Sequence, residues 1–592
     1  MLIALLLGCA TSDDSGSDAG VGALGLGRQN PFPSMELVGA DGHLALEVGD
    51  LPVKEGGTAW DFAAFAARTG FSVVQPSVVR FPQEIDATSI GGQAAIGTDG
   101  SVRMIDLDSG DPVDCFAELD AATDYPSGTT TTLVVRPMRA LTPGHRVAVL
   151  VTSAVTSGGA PLDVPEPTGH YAELRDQLAA LGQTDVVVAW DFPVGSGTAL
   201  LTNSLVATAG TPAAHTVTRT WEAGGESEPP PGLWRLAEGS FTTTELLIDG
   251  THMELSADRV PTVQGDRQAY LMVAIPDSVK DAAPGTVPIL VFGHGIMSEP
   301  DDYLGKDDDP NGVISVANHL GAIVVATKWT GLTGADRLHA IEVADDFARF
   351  DEIPEMLAQG VSDTVALMHA VRDGELVDDP VFAGLGDPSH IYYYGISLGG
   401  IEGAVTMANQ DVLDKGVLHV GGAAWATMLE RSAQWPPFDV VMTRDFDDPW
   451  DRQVLYAASQ MLWDPVDPAS YAEKLGQGTW LWQESVGDEQ VPNLTTELLM
   501  RSAGLPVALP SVNTPTDLAT VALPTTGGGM VQFDPEQPLP VAANRPGELT
   551  GAHSIPRLFP GAQQQTIHFL TTGEIAHSCG ETPCSASNPG SW

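Results

Sequence analysis

Residues His390 to Ala404 read HIYYYGISLGGIEGA, and no other stretch restricts the possible folds as much. An apolar run, Ile391 to Tyr394, leads into Gly395-Ile396-Ser397-Leu398-Gly399. Small and apolar residues in a helix-compatible pattern follow through Ala404 and Val405. The pattern predicts a strand, a sharp turn and a helix, with a serine at the apex. Such a turn strains the serine backbone, so the residues two before and two after it must be almost free of side chain. Gly395 and Gly399 meet that demand. The helix start then directs free N–H groups and the positive end of its dipole at the serine oxygen.

A serine hydroxyl is a weak nucleophile. It needs a histidine to take its proton, an acid to orient the histidine and donors for the oxyanion. Around such a turn the chain order is serine, acid, histidine. Upstream, Val287 to Met297 reads VPILVFGHGIM, a buried-type strand running into a Gly-His-Gly loop. Glycines there let the backbone approach a substrate closely. The two oxyanion donors are therefore expected to be the backbone N–H groups of Ile296 and Leu398. His294 precedes the serine and is expected to brace its loop rather than act as base.

Downstream, Thr479 to Pro492 reads TWLWQESVGDEQVP. A strand ends in Gly487-Asp488, and a helix is expected after Pro492. An acid at that strand end can reach an imidazole across the sheet edge. Asp488 is the expected orienter, with Glu489 and Glu484 as competitors. After Asp488 the only histidines are His553, His568 and His577. His568 falls within a helix predicted from Pro560 to Leu570 and closing at Gly573. Phe559, Ala562, Thr566 and Phe569 or Leu570 would form its packed face. His553 sits in a loop after a predicted last strand, Met530 to Phe533, and before that helix. His577 lies beyond the helix beside Cys579. His553 is the expected base and His577 the alternative.

Taken together, GHGIMS, YYYGISLGG, GDEQVP and the GAH-plus-helix ending resemble the α/β-hydrolase superfamily. With the β-rich front portion and its LTPGHRVAVLVTSAV, the chain more narrowly resembles bacterial extracellular lipases with an N-terminal Ig-like domain, including surface-exposed lipoprotein lysophospholipases. The resemblance covers most of the chain beyond its leader. It implies a mostly parallel sheet flanked by helices, preceded by an Ig-like β-sandwich. It also implies a serine ester hydrolase with Ser397 as nucleophile, Asp488 as orienter and His553 as base, needing no cofactor or metal. The stretch from Phe533 to His553 departs from many relatives in being long and Pro-rich.

The chain of 592 residues has room for about three or four average domains, or for one large enzyme plus one or two small modules. Its 27 basic against 77 acidic residues give a formal net charge of -50. That charge repels nucleic acid and anionic lipid surfaces at long range, so no nucleic-acid partner is expected. Near the start, Leu6-Leu7-Gly8-Cys9 fits a bacterial lipobox and precedes a Ser/Asp/Gly-rich tether. Cys9 is the expected lipid anchor, holding the protein to the bacterial cell envelope, at the outer membrane or cell surface. The apolar run before it is short and carries no Lys or Arg, so the sequence is expected to begin inside a longer leader. Cys579 and Cys584 bracket Gly-Glu-Thr-Pro and are a candidate disulfide, which leaves Cys115 unpaired and buried.

The expected organisation is leader and tether over 1–30, an Ig-like domain over 31–162, a connecting segment over 163–232 and a hydrolase domain over 233–592. Short β runs are read at Phe71 to Phe81, Ser101 to Leu107, Thr131 to Pro137 and Arg146 to Val155. Tyr171 to Leu181 reads as helix, Asp185 to Phe192 as strand, and Glu222 to Gly232, with its three prolines, as linker. A cap insertion is expected over about 422–475, where Trp435, Phe438, Phe446, Trp450, Tyr456 and Met461 offer an apolar wall. Asp307 to Gly312 imitates the start of a calcium loop, but Asn318 stands where the loop needs Glu. An ester or lipid substrate is the expected partner. A surface adhesin with an idle hydrolase domain and a serine peptidase are the competing readings.

Overall fold

The computed structural model describes residues 30–122, 132–210, 214–413 and 415–592. Cys9 and the tether fall outside the described residues. The front portion contains β1 (Ser77–Arg80), β2 (Val102–Asp106), β3 (Pro112–Val113), β4 (Cys115–Leu119), β5 (Thr132–Pro137), β6 (Arg146–Thr152), helix α1 (His170–Ala180) and β7 (Val186–Pro193). These strands form two antiparallel sheets, one in the order β1-β5-β4 and one in the order β3-β2-β6-β7. Strand β7 lies in the stretch expected to be a connection. It pairs along the length of β6, from Arg146 opposite Pro193 to Thr152 opposite Val186. Its Trp190 and Phe192 are fully buried, which is why it belongs to the sheet.

Among the described residues the main sheet has eleven strands. In chain order they are β8 (His215–Glu222), β9 (Leu233–Glu245), β10 (Gly265–Pro276), β11 (Val287–Gly293), β12 (Ile323–Ala326), β13 (Gly386–Ile396), β14 (Lys415–His419), β15 (Thr479–Ser485), β16 (Val507–Leu509), β17 (Thr520–Ala522) and β18 (Gly529–Phe533). Their spatial order is β8-β9-β10-β12-β11-β13-β14-β15-β18-β16-β17. The pairs β8–β9, β9–β10 and β10–β12 are antiparallel, and the others are parallel. This large mixed sheet flanked by helices fits the expected α/β architecture. The predicted linker from Glu222 to Gly232 is instead the turn of a β-hairpin. Its prolines interrupt the chain between β8 and β9, but the two strands pair from His215 opposite Phe241 to Glu222 opposite Arg235.

Parallel strands need cover on both faces, and alternating side chains show that cover. Ile289 and Val291 of β11 pack into one core, and Leu290 and Phe292 into the other. The principal helices of this part are α2 (Val313–Leu320), α3 (Arg337–Asp345), α4 (Glu352–Arg372), α5 (Leu398–Asn409), α6 (Trp425–Leu429), α7 (Pro436–Asp445), α8 (Pro449–Trp463), α9 (Asn493–Ala503) and α10 (Pro560–Thr572). Helices α4 and α5 cover the first face, with Leu357, Val361, Ile401 and Val405 in its core. Helices α2 and α10 cover the second, with Val313, Ala317, Ala562 and Phe569. Buried residues of the front portion, Phe71 and Val149 among them, continue the first core.

Helices α6, α7 and α8 fill the interval between β14 and β15, where the aromatic insertion was expected. The Asp307 to Asp309 run leads into α2. The Asp309 carboxylate accepts the N–H groups of Ile314 and Ser315 at 3.1 and 2.8 Å, capping α2.

Candidate active site

Ser397 occupies the turn between β13 and α5 with φ 60° and ψ −117°. This is the left-handed region that side-chain-bearing residues avoid. Close packing enforces the turn. A Cβ on Gly395 would lie 1.9 Å from the Gly399 carbonyl oxygen, and one on Gly399 would lie 2.1 Å from the Gly293 oxygen. The Ser397 N–H donates to the His419 carbonyl at 2.9 Å, and the buried Tyr393 hydroxyl donates to the Gly399 carbonyl at 2.6 Å. The serine is thus fixed from strands on both sides.

The Gly293-His294-Gly295 loop lies directly against it. A Cβ on Gly295 would sit 3.5 Å from Ser397 Cβ. In this loop the Gly295 N–H donates to the Tyr303 hydroxyl at 3.0 Å and the Met297 N–H to the Leu332 carbonyl at 2.7 Å. The Ile296 N–H between them has no acceptor among the described residues. Leu398 is the first residue of α5, where a helix has no internal acceptor for the N–H. Both residues line the cavity that holds Ser397. His294 is fully buried and braces the loop as expected. Its Nδ1 donates to the Gly295 carbonyl at 2.8 Å and its Nε2 accepts the Trp329 N–H at 3.0 Å. Burial lowers its pKa to about 4, so it stays neutral at neutral pH.

Asp488 follows β15 and His553 follows β18, the next strand in the sheet. The His553 Nδ1 lies 2.7 Å from Asp488 Oδ2 and 2.9 Å from Oδ1, and both side chains are buried. Asp488 Oδ1 also accepts the N–H groups of Gln490 and Val491 at 2.8 and 2.9 Å, which fixes the carboxylate at the entry to α9. Ser397 Oγ itself makes no hydrogen bond among the described residues.

Of the competitors, Glu484, His568 and His577 are placed elsewhere. Glu484 lies inside the sheet, where Gln532 Nε2 donates to it at 2.8 Å. Burial, with Glu497 adding to it, pushes its carboxyl well above the usual carboxylate range. His568 faces Glu574 at 3.0 Å on the surface of α10, and His577 Nε2 bonds to the Thr582 carbonyl at 2.6 Å in the tail. Cys579 and Cys584 form a disulfide, and Cys115 is free and buried.

Two supports of the histidine and one of the serine turn were not legible as such. Glu489 Oε2 accepts the His553 N–H at 3.2 Å and the Thr550 hydroxyl at 3.0 Å, and its Oε1 accepts the Gly551 N–H at 3.3 Å. Arg557 donates to the His553 carbonyl at 3.0 Å and to Asn311 at 2.8 Å. His419, behind the serine turn, bonds through Nδ1 to Gln483 Oε1 at 2.9 Å, and burial lowers its pKa to about 3. Glu489 stood next to the expected acid but signalled no bracing role. Nothing in the local sequence marks Arg557 or His419.

From Ser397 an apolar cavity of ≈100 Å³ opens beneath α3 and the α6–α8 helices. Its walls include Met297, Phe347, Phe350, Trp425, Trp435 and Trp463. Trp425 stacks on Trp463 with ring centres 4.4 Å apart, and Phe347 stacks on Phe350 at 4.5 Å. Aromatic pairs of this kind hold an apolar wall open with few soft torsions.

No protein-family model matches the chain, and no curated protein matches it. Among solved structures its neighbours include esterases and a puromycin hydrolase. An acetyl xylan esterase from Thermoanaerobacterium sp. JW/SL YS485 shares 15 % identity over 63 % of this chain and 93 % of its own, with a TM-score of 0.38. A carboxyl esterase from the fungus Tuber melanosporum shares 14 % over 56 % of this chain and 86 % of its own, with a TM-score of 0.28. The puromycin hydrolase shares 13 % over 57 % of this chain and 46 % of its own, with a TM-score of 0.32.

Proposed function

We propose that the protein is a serine carboxylic-ester hydrolase of lipase or esterase type. The observation that carries this reading is the buried Asp488–His553 hydrogen bond at 2.7 Å, formed by residues that follow strands of the same sheet that presents the strained Ser397. With Nδ1 donating to Asp488, His553 Nε2 is the nitrogen left to receive a proton. In the proposed reaction Ser397 Oγ attacks the ester carbonyl and its proton passes to His553 Nε2. The oxyanion rests on the N–H groups of Ile296 and Leu398. Collapse breaks the ester bond, and the imidazolium protonates the leaving alcohol. Water then attacks the acyl-enzyme, giving its proton to His553, and the acid departs as Ser397 regains its hydrogen. Resting hydrogen bonds to such a serine are often long and tighten when substrate binds. The apolar cavity beside Ser397 supports an acyl group as the part buried there.

The proposal extends to the ends of the molecule. The two antiparallel sheets of the front portion support the Ig-like reading. The Leu-x-Gly-Cys run supports anchoring through Cys9 at the bacterial envelope, with a lipid, such as a lysophospholipid, as substrate. Metabolic labelling with a clickable fatty acid tests the anchor; equal labelling of Cys9→Ser removes it.

The chemistry is tested with a fluorophosphonate probe and p-nitrophenyl esters of graded chain length. Covalent labelling at Ser397 together with ester turnover is the expected result. An intact, folded protein that does neither leaves the adhesin reading in its place.

A further inference from the structure

The segment from Asp534 to Ala552 carries no regular helix or strand, yet it delivers His553 to Asp488. A run of that length without structure of its own needs outside anchors to hold a side chain in one place. One of its buried anchors is Asn544. The Asn544 amide oxygen accepts the Ala121 N–H at 2.8 Å, and its Nδ2 donates to Asp120 Oδ1 at 2.8 Å and to Glu430 Oε1 at 3.1 Å. Asp120 and Ala121 directly follow β4 of the front portion. Glu430 follows α6, and its other oxygen accepts from Arg136 Nη2 of β5 at 3.0 Å. Arg431, beside it, donates to Glu118 of β4 at 2.6 Å, and its carbonyl accepts the Gly547 N–H at 3.4 Å. Two residues on, the Ala433 N–H donates to the Glu489 carbonyl at 2.7 Å. Glu489 in turn holds Thr550, Gly551 and His553.

We propose that the front β portion positions the catalytic histidine, with Asn544 and Asp120 as positioning residues that clamp the histidine-bearing loop onto the end of β4. The proposal rests on the reading of His553 as the base. The amide of Asn544 suits this place because it presents an acceptor to the Ala121 N–H and donors to two carboxylates at once. An aspartate there would set a third carboxyl against Asp120 and Glu430 in place of the amide donors, and an alanine would remove the clamp. The clamp touches neither substrate nor Ser397, so its loss should act on turnover through the placement of the imidazole. A misplacement of about 1 Å can cost on the order of a hundredfold in rate.

The experiment uses the full chain, comparing wild type with Asn544→Ala, Asp120→Asn and the double variant. Competent sites are counted by fluorophosphonate titration, and kcat and KM are measured on p-nitrophenyl butyrate from pH 5 to 9. Wild type that neither labels nor turns over ester refutes the hydrolase reading itself. With an active wild type, the expected result is a kcat per titrated site about 10- to 100-fold lower in Asn544→Ala. KM should stay within about twofold, and the acid limb of the pH profile should move. The double variant should be no worse than about twofold below the single, since both residues belong to one clamp. A purely structural role would lower the number of titrated sites and leave kcat per site and the pH limb in place, and that outcome overturns the proposal. If Asn544→Ala does not fold, Asp120→Asn is read by the same criteria. If neither folds, the clamp serves folding rather than placement and the proposal falls.

Discussion

Asp488 and Glu489 are adjacent in sequence and hold the same histidine from two sides. Asp488 takes the ring through Nδ1 at 2.7 Å, and Glu489 takes the backbone N–H at 3.2 Å. The first contact sets the tautomer and the second sets where the ring begins. The two carboxylates should therefore fail differently. Asp488→Asn keeps the shape but can stabilise the wrong tautomer, and kcat should fall by about 10⁴-fold. Glu489→Gln keeps one acceptor for the loop and should cost about tenfold. Steady-state kinetics on a short p-nitrophenyl ester distinguish the two. Equal losses would contradict the division of roles.

Ser397→Ala should abolish ester hydrolysis, by several powers of ten, while leaving the thermal melt unchanged. The serine side chain makes no hydrogen bond that the fold depends on, whereas its N–H to His419 is backbone and survives. More than a tenth of wild-type activity in the folded variant would exclude Ser397 as nucleophile.

Gly399→Ala should prevent formation of the native turn. The new Cβ would lie 2.1 Å from the Gly293 carbonyl oxygen and 2.9 Å from its Cα, contacts that only backbone movement relieves. Loss of soluble protein or of fluorophosphonate labelling is expected. A fully labelled Gly399→Ala protein would show that the turn tolerates a wider gap than the packing indicates.

How much of this was legible follows the range of each interaction. The strand–serine–helix turn, Asp488 after its strand and His553 before its closing helix were readable, because each depends on a few residues in sequence. Helix α10 covers Pro560–Thr572 and buries Phe559, Ala562, Thr566, Phe569 and Leu570, the face that periodicity indicated. What escaped reading is long-range. Strand β7 looked like part of a connection because nothing local says that its eight residues pair with β6. The Pro-rich stretch after Glu222 looked like a domain linker because prolines mark a hairpin turn and a linker alike. Arg557 and His419 act through contacts that only the folded sheet brings together.

His419 is held neutral by burial, with its folded pKa near 3 against an ordinary value of 6.5. Between those values the unfolded chain binds a proton that the folded chain does not. The stability contributed by His419 is therefore complete above about pH 6.5 and declines as pH falls toward 3. Going from pH 6.5 to 4, wild type should lose about 3 kcal/mol relative to His419→Asn, at 1.36 kcal/mol per pH unit. Urea denaturation of both proteins at the two pH values measures this. Taking the difference cancels buried acids such as Asp363 and Asp464, whose raised values act with the opposite sign. A pH-independent difference would place a charged or solvated imidazole at this position.

Trp435 and Trp463 line the apolar cavity that also holds Ser397, so enlarging it at Trp435 should favour longer acyl chains. Trp435→Ala is expected to raise the ratio of kcat/KM on p-nitrophenyl decanoate to that on the butyrate by about tenfold or more, in line with the area an indole fills. An unchanged ratio would place the acyl chain elsewhere.

The hairpin of β8 and β9 also bears on how this protein can be trimmed. A fragment begun at Leu233, after the prolines, would discard β8 and leave the outer side of β9 unpaired from Arg235 to Phe241. An unpaired edge of that length recruits strands from neighbouring copies. Shortened forms made for crystallisation or labelling should keep the chain from before His215, or they will precipitate as stacked sheets rather than stay in solution as single molecules.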